Sequence, residues 1–334
     1  MIAFVSTPRS IEHHTGAGHP ERPDRLRVID RALRQSGLLN GADPYPEFQH
    51  DLGPLPSFHR KLLHISPEPA DRKWVSLVHR AGYIEHIAQV CETGGGLLDL
   101  GDTPVCPASL DIALLALGGV LQACDAVLTG QARRAFAAIR PPGHHAEPDR
   151  PMGFCLFSNI AIAARYIQQR YNIERVAIVD FDVHHGNGTQ AAFEADPSVF
   201  FCSIHQHPRT CYPGTGFAWE IGTGRGRGYT LNLPMDPGCG DMEYLRVIES
   251  RLVPELDEFV PDVMLLSAGF DAHADDPLAD MKVSEEGFEL ITRTLAAVAD
   301  RHCQGRVVSV LEGGYNLRAL GRSVVRHLIG LGAR

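Results

Sequence analysis

The chain has 334 residues, 44% apolar and 21% charged, with a formal net charge of −9 at pH 7. These are the values of a globular chain that buries a substantial core without staples, as one large α/β domain or two small ones. The acidic balance and the lack of a long basic run argue against nucleic acid as the main partner.

Met1-Ile2-Ala3-Phe4-Val5 reads as a first strand. His13-His14 and Gly18-His19-Pro20-Glu21-Arg22-Pro23 form a polar loop. Pro23 can open a helix with Leu26, Ile29, Leu33 and the Leu38-Leu39 end on one face. Residues 40–72 are rich in proline and poor in periodicity, a long connection that reads as a rim, lid or contact arm, or as a tolerated surface insertion. Helical spacing returns from Val75 to Val90 and stops at Gly94-Gly95-Gly96. Gly101-Asp102-Thr103-Pro104 is a turn, and Ser109 is placed to cap a helix through Leu114, Leu117, Leu121 and Val127.

Strands and helices then alternate. Strands are expected at 135–139, 176–179, 198–204, 229–233, 263–267 and 306–311, and helices at 159–171, 242–259, 285–301 and 317–331. Apolar strands separated by helices predict a buried parallel sheet in one α/β domain. None of the eight cysteines forms a Cys-x-x-Cys pair, so they read as buried free thiols of a reducing compartment. No secretory leader pattern opens the chain, and the apolar run near Ile112 to Leu121 is too short to span a bilayer. The expectation is a soluble, cytoplasmic protein with no membrane or nucleic-acid partner, and with homo-oligomerisation left open.

The chemistry gathers after the strands. In an extended chain Asp180, Asp182 and His184 share one side. Asp-x-His supplies an oxygen and a nitrogen ligand, which suits zinc, and a catalytic zinc needs a third ligand from elsewhere and an open position. Other polar, glycine-rich segments follow predicted strands: Arg140-Pro-Pro-Gly-His144-His145-Ala, His205 with Tyr212-Pro-Gly-Thr-Gly, Ser267-Ala-Gly-Phe-Asp271-Ala-His273, and Glu312-Gly313-Gly314-Tyr315. Ligands of open parallel sheets collect outside the carboxyl ends of the strands, so these loops converge on one site. Each has a bland reading: a solvated Asp-x-His, a helix-capping Asp271, a Gly-Gly turn. Jointly those readings need five coincidences. There is no phosphate loop, Gly-x-Ser-x-Gly elbow or His-Glu-x-x-His pair, and the Gly222 to Gly228 run reads as a flexible loop.

Together with Gly153-Phe154-Cys155 and Asp180-x-Asp-x-His-His-Gly-Asn-Gly-Thr, these segments resemble the zinc-dependent histone deacetylase family, in order from about His13 onward. That family includes bacterial histone-deacetylase-like amidohydrolases and acetylpolyamine amidohydrolases. Asn187 and the Ser-Ala-Gly-Phe-Asp wording are similar to its class II branch. The resemblance implies the arginase/deacetylase fold, a single domain around a mostly parallel eight-stranded sheet. It implies a zinc enzyme that uses metal-activated water to remove acyl groups, acetyl first among them, from N-acyl-lysine in a protein or peptide, or from a small acylated amine.

The resemblance also implies roles. Asp182, His184 and Asp271 match the zinc ligands, and His144 and His145 the tandem histidines. Asp180 matches the carboxylate that orients His144. Asn187 supports His145 where class I members carry an acid. Tyr315 matches the tyrosine that hydrogen-bonds the substrate carbonyl, after Gly313 and Gly314, which let the loop approach. Phe154, after Gly153, and Tyr212 match the aromatic channel walls, Tyr212 departing from the usual Phe. Asp102 matches a rim aspartate that holds substrate backbone. Asp180, Asp182, His184, Ser203 and Ile204 match a structural potassium site, with a second near Phe193, Asp196 and Val199.

Three rivals are weighed. A binuclear manganese ureohydrolase needs further acids where Gly186 and His273 stand. Polyamine-selective members place an acid where this chain has Leu278. A catalytically dead acyl-lysine-binding protein would have lost the ligands or Tyr315, which are present.

Overall fold

Strand β1 (Ile2–Val5) shows how the fold is built: Ile2 and Phe4 enter one apolar cluster, while Ala3 and Val5 enter another on the opposite face. All four are buried because helices cover both faces. The computed structural model describes residues 1–59, 61–99 and 101–332. Arg60, within the proline-rich stretch, and Leu100 lie outside the described residues.

The strands that follow are β2 (Leu63–Ile65), a short antiparallel ribbon β3 (Gly96–Leu97) and β4 (Pro104–Val105), then β5 (Arg134–Ala137), β6 (Val176–Asp180), β7 (Val199–Gln206), β8 (Thr230–Met235), β9 (Val263–Ala268) and β10 (Val307–Leu311). Eight of them form one sheet in the order β2-β1-β5-β10-β9-β6-β7-β8. Every pairing in it is parallel. The carboxyl ends therefore share one edge.

The helices are α1 (Asp24–Gln35), α2 (Arg72–Val75), α3 (Ala81–Glu92), α4 (Ser109–Leu128), α5 (Asn159–Tyr171), α6 (Asn187–Phe193), α7 (Asp241–Val247), α8 (Val253–Phe259), α9 (Glu285–His302) and α10 (Leu317–Gly330). One face of the sheet carries α1, α7, α9 and α10, through residues such as Ile29, Tyr244, Phe288 and Leu320. The other carries α3, α4 and α5, through Ile87, Leu117 and Ile160. Helix α4 is long and apolar enough to cross a membrane, yet 83% of its apolar window is buried inside the protein. Its apolar character follows from burial on nearly all sides.

Three local expectations are corrected, two of them by tertiary bonds. The helix read from Val75 to Val90 is broken into α2 and α3. Between them the His79 ring accepts the Ser158 N–H at 2.9 Å and the Arg80 N–H donates to Pro148 O at 2.9 Å. Ser109 does not cap α4 with its side chain; its hydroxyl accepts the Cys106 N–H at 2.8 Å and bonds His13 Nδ1 at 2.7 Å. The helix read from 242 to 259 passes through a π turn at Ile248–Leu252, just before Pro254, which has no N–H to donate. Helix α6 and the β3–β4 ribbon had no periodic signal in the sequence.

The proline-rich stretch is tied down at several points. Arg31 of α1 donates to Phe48 O and His50 O at 3.1 and 3.0 Å, and Arg322 of α10 to Leu52 O and Pro54 O, both at 3.0 Å. Beyond edge strand β2 it crosses α4, where the Ala70 N–H meets Leu114 O at 2.9 Å. A Cβ at Gly118 would collide with this crossing backbone.

His327 of α10 lies fully buried between Thr292 Oγ1 (2.7 Å) on α9 and Ser309 Oγ (2.9 Å) on β10. Burial holds its pKa down at about 3, so it folds neutral. An unfolded histidine takes up a proton below about pH 6.5 and the folded one does not, so its contribution is intact above that pH and lost as pH falls toward 3. At pH 5 the loss is about 2 kcal/mol. Urea unfolding of wild type and His327→Gln at pH 7.5 and 5.0 checks this: the stability gap between them should narrow by that amount at the lower pH.

Candidate active site

Five adjacent strands, β5, β10, β9, β6 and β7, deliver their following loops to one place on the carboxyl edge. Strand β6 ends on Asp180, and the next turns are built by side chains accepting backbone N–H groups. Asp180 Oδ1 accepts from Asp182 at 3.1 Å, Asp182 Oδ1 from His184 at 2.9 Å and Asp271 Oδ1 from Val183 at 2.9 Å. Phe181 and Val183 point into the core between them, so Asp180, Asp182 and His184 face the site.

Asp182, His184 and Asp271 offer ligand atoms that all lie within 4.8 Å of one another. His184 Nδ1 stands 3.0 Å from Asp182 Oδ1 and 3.2 Å from Asp271 Oδ2. Asp271 Oδ2 is buried and accepts no hydrogen bond among the described residues. Burial would lower the His184 pKa, but Asp182 and Asp271 reverse that and hold it well above the usual value. This trio asks for a cation: two buried carboxylates, one imidazole nitrogen and an unused oxygen. The mixed oxygen and nitrogen donors fit zinc. Space for it depends on glycine. A Cβ at Gly313 would lie 2.6 Å from Asp182 Oδ2 and closer still to Asp271 Oδ2, and one at Gly269 would overlap Asp182. A second group, His144, Cys155 and Glu312, is also close. His144 Nδ1 is held there by Asp180, Cys155 Sγ by Gly153 O and Glu312 Oε2 by the N–H groups of Gly143 and His144, while Glu312 Oε1, like Asp271 Oδ2, has no hydrogen bond among the described residues.

The tandem histidines have different supports. His144 Nδ1 bonds Asp180 Oδ2 at 3.0 Å, and His145 Nδ1 bonds Asn187 Oδ1 at 2.7 Å. The Asn187 amide nitrogen donates to Glu147 Oε1 at 2.8 Å, which turns its oxygen to His145. His145 Nδ1 is therefore the donor, and Nε2 keeps a lone pair. Burial opposes charge on His144, but Asp182 and Asp180 outweigh it and lift the pKa to about 10. His145 is held well below 6.5 by burial and by His144 and His184. The two rings, 3.9 Å apart between centroids, are thus shifted in opposite directions.

Tyr315 keeps its phenolic proton, since desolvation pushes its pKa well above the ordinary value. Its ring meets Phe154 at 5.9 Å, edge to face, and Tyr212 meets His145 at 5.1 Å in the same manner. Phe154 adopts φ +68° and Gly153 φ +58°. A side chain at Gly153 would strike the His145 ring. Asp102 and Tyr212 line a surface cavity of about 790 Å³ with Met152 and Arg150. Leu278 is exposed, and its backbone N–H donates to Asp276. Ser203 pairs in register with Asp180, with Ile204 next to it on β7. The Asp196 carboxylate is occupied by Ser198 and Arg165.

A profile described as the histone deacetylase domain matches residues 19–331. The chain belongs to the histone deacetylase family. It is 38% identical over 317 residues to a "Probable deacetylase" of Archaeoglobus fulgidus, covering 95% of this chain and 82% of that one. It is 38% identical over 325 residues to a "Histone deacetylase-like amidohydrolase" of Pseudomonas aeruginosa, covering 96% and 80%. The crystal structure of the HDA15 HD domain superposes with a TM-score of 0.88 at 34% identity, covering 99% of this chain and 90% of that one. The arginase/deacetylase fold follows from this membership, which is consistent with a deacetylase/amidohydrolase activity.

The sequence reading missed several residues that hold this deacetylase-family site together. Glu21 is fully buried, accepting from Arg140 at 2.5 and 2.7 Å and from Arg25 at 3.2 Å. Burial raises its pKa, but Arg140 and Arg25 bring it down to about 2. Arg25 donates to Gly314 O at 2.7 Å and to Glu312 O, and its guanidinium lies 5.0 Å from the Tyr315 ring centroid. Glu312 in turn carries the His144 loop; burial pushes it up to about 7. The available signal was a charge on an apolar stripe, Arg25 with Ile29 and Ala32.

Gly313→Ala should weaken divalent-metal binding by about 10–100-fold, the scale of other disturbances next to ligands. Equilibrium dialysis with zinc, read as metal retained per chain against wild type, tests this; equal retention would show that the collision is relieved elsewhere.

Proposed function

We propose that the chain is a zinc-dependent deacylase that removes acyl groups, acetyl foremost, from the side-chain amide of N-acyl-lysine or a similar amide. The observation that carries this reading is the Asp182, His184 and Asp271 trio, with Asp271 Oδ2 accepting no hydrogen bond among the described residues, facing a histidine pair of unequal basicity and a protonated tyrosine. Bound zinc would polarise the amide carbonyl and bring the pKa of its water to roughly 7. His145 takes the proton of the attacking water at Nε2. His144, on Asp180, keeps its own proton and its positive charge beside the reacting atoms. The proton then returns from His145 to the departing amine. The Tyr315 hydroxyl donates to the carbonyl oxygen as charge develops on it.

Phe154 and Tyr212 supply aromatic walls that suit the aliphatic stem of an acyl-lysine. Asp102, on the rim, is placed to accept substrate N–H groups. Leu278 presents no acid to a cationic polyamine, which favours acyl-lysine. The potassium reading around Asp180, Asp182, His184, Ser203 and Ile204 belongs to the same proposal.

Hydrolysis of fluorogenic acetyl-lysine and trifluoroacetyl-lysine, against acetylated putrescine and spermidine, is the test, with zinc-loaded wild type and Tyr315→Phe. Lysine substrates should turn over, and Tyr315→Phe should lower kcat by about 10²–10³-fold. Turnover confined to the polyamines would move the substrate assignment, and no turnover with zinc bound would end the deacylase reading.

The Asn187 support makes a second expectation. Asn187→Asp places a carboxylate on His145 Nδ1, which favours the imidazolium and raises the pKa of His145. The acid limb of the pH profile of kcat/KM should move up by about 1 unit or more. An unmoved limb would mean that His145 is not the group whose protonation stops the reaction.

A further inference from the structure

The loop carrying Tyr315 has a sequence that leaves its backbone several directions. Between the end of β10 at Leu311 and the start of α10 at Leu317 stand Gly313 and Gly314, the latter at φ +118°. Glycine allows many backbone directions there, and each would aim the tyrosine differently. Something must select one.

Two buried side chains do so from opposite sides. Arg25 takes the carbonyls of Glu312 and Gly314. Asp276 takes the N–H groups: its Oδ2 accepts from Tyr315 at 2.7 Å and from Asn316 at 3.2 Å. Its Oδ1 accepts from Leu278 at 3.1 Å, and its own N–H donates to His273 O at 3.0 Å. Asp276 is only 7% exposed. It is thus locked into the turn that follows Asp271, and from there it grips the peptide of Tyr315 itself.

We propose that Asp276 is a positioning residue for the Tyr315 hydroxyl, joining the turn after Asp271 to the Gly-Gly-Tyr loop through the backbone N–H of Tyr315. This rests on the reading of Tyr315 as donor to the developing oxyanion. A donor misplaced by about 1 Å costs about 10²-fold in rate, so a grip on its backbone acts on turnover rather than on substrate binding. The carboxylate is required by count. Three N–H groups converge on two oxygens. An asparagine offers one oxygen and sets an NH₂ group against an N–H.

The test is a double-mutant cycle on the zinc-loaded protein with an acetyl-lysine peptide: wild type, Asp276→Asn, Tyr315→Phe and the double variant. Zinc content and the thermal transition are read for each. Asp276→Asn should lower kcat by about 10–10²-fold with KM changed less than about two-fold. In the Tyr315→Phe background, where no hydroxyl remains to be placed, it should lower kcat by less than about two-fold. Equal losses in both backgrounds would overturn the proposal, because they would come from a general loss of site structure. Undiminished turnover of Tyr315→Phe would overturn the hydroxyl's role and this one with it, and that result needs no Asp276 variant. Asp276→Glu keeps the buried charge one methylene longer, and carries the same cycle if Asp276→Asn does not yield folded protein.

Discussion

Two carboxylates, Asp182 and Asp271, are buried within 3.0 and 3.2 Å of a single imidazole nitrogen of His184. Such crowding of like charges away from water is unfavourable unless a cation shares the space. Most of the surrounding chemistry keeps this arrangement in place. Backbone N–H groups of His184, Val183 and Gly313 brace the carboxylates. Glycine at 269 and 313 leaves the room that any side chain would take. One oxygen, Asp271 Oδ2, has the His184 ring at 3.2 Å but accepts no hydrogen bond among the described residues, which leaves it open to a ligand from outside the chain.

The all-parallel sheet brings these residues together. Strands β5, β10, β9, β6 and β7 are neighbours, so His144 and His145, the Asp182, His184 and Asp271 trio, Tyr315 and Tyr212 arrive from one edge. Behind them the Glu21, Arg25 and Arg140 cluster ties the N-terminal loop to the loops after β5 and β10. Removing one partner of a buried ion cluster costs about 3–5 kcal/mol, because a charge is left uncompensated.

The two histidines show how environment divides labour between identical side chains. Asp180 gives His144 a negative neighbour, while Asn187 gives His145 only a neutral acceptor. Asp182 and Asp180 raise the pKa of the first ring, and burial lowers that of the second. A pair split in this way can offer electrostatic stabilisation and proton transfer at the same pH.

Much of this protein was determined by its sequence read alone. Asn159 to Tyr171 is helical with the same bounds in both readings, and the strands leading to Asp180, Ser267 and Leu311 stand within a residue or two of where their apolar runs placed them. Periodicity reports burial by a face, and a face is a local property of the chain. The spacing of Asp180, Asp182 and His184 likewise carried its own geometry. What the tertiary structure decided was everything set by distant partners. Ser109 was lost as a cap to His13, the helix after Val75 was broken by Ser158 and Pro148, and the grip of Asp276 on Tyr315 was invisible in Asp-Pro-Leu. Arg25 and Gly314 are 289 positions apart and share a hydrogen bond of 2.7 Å. No pattern along the chain encodes such a contact, because it exists only once the sheet has brought both ends to the same edge.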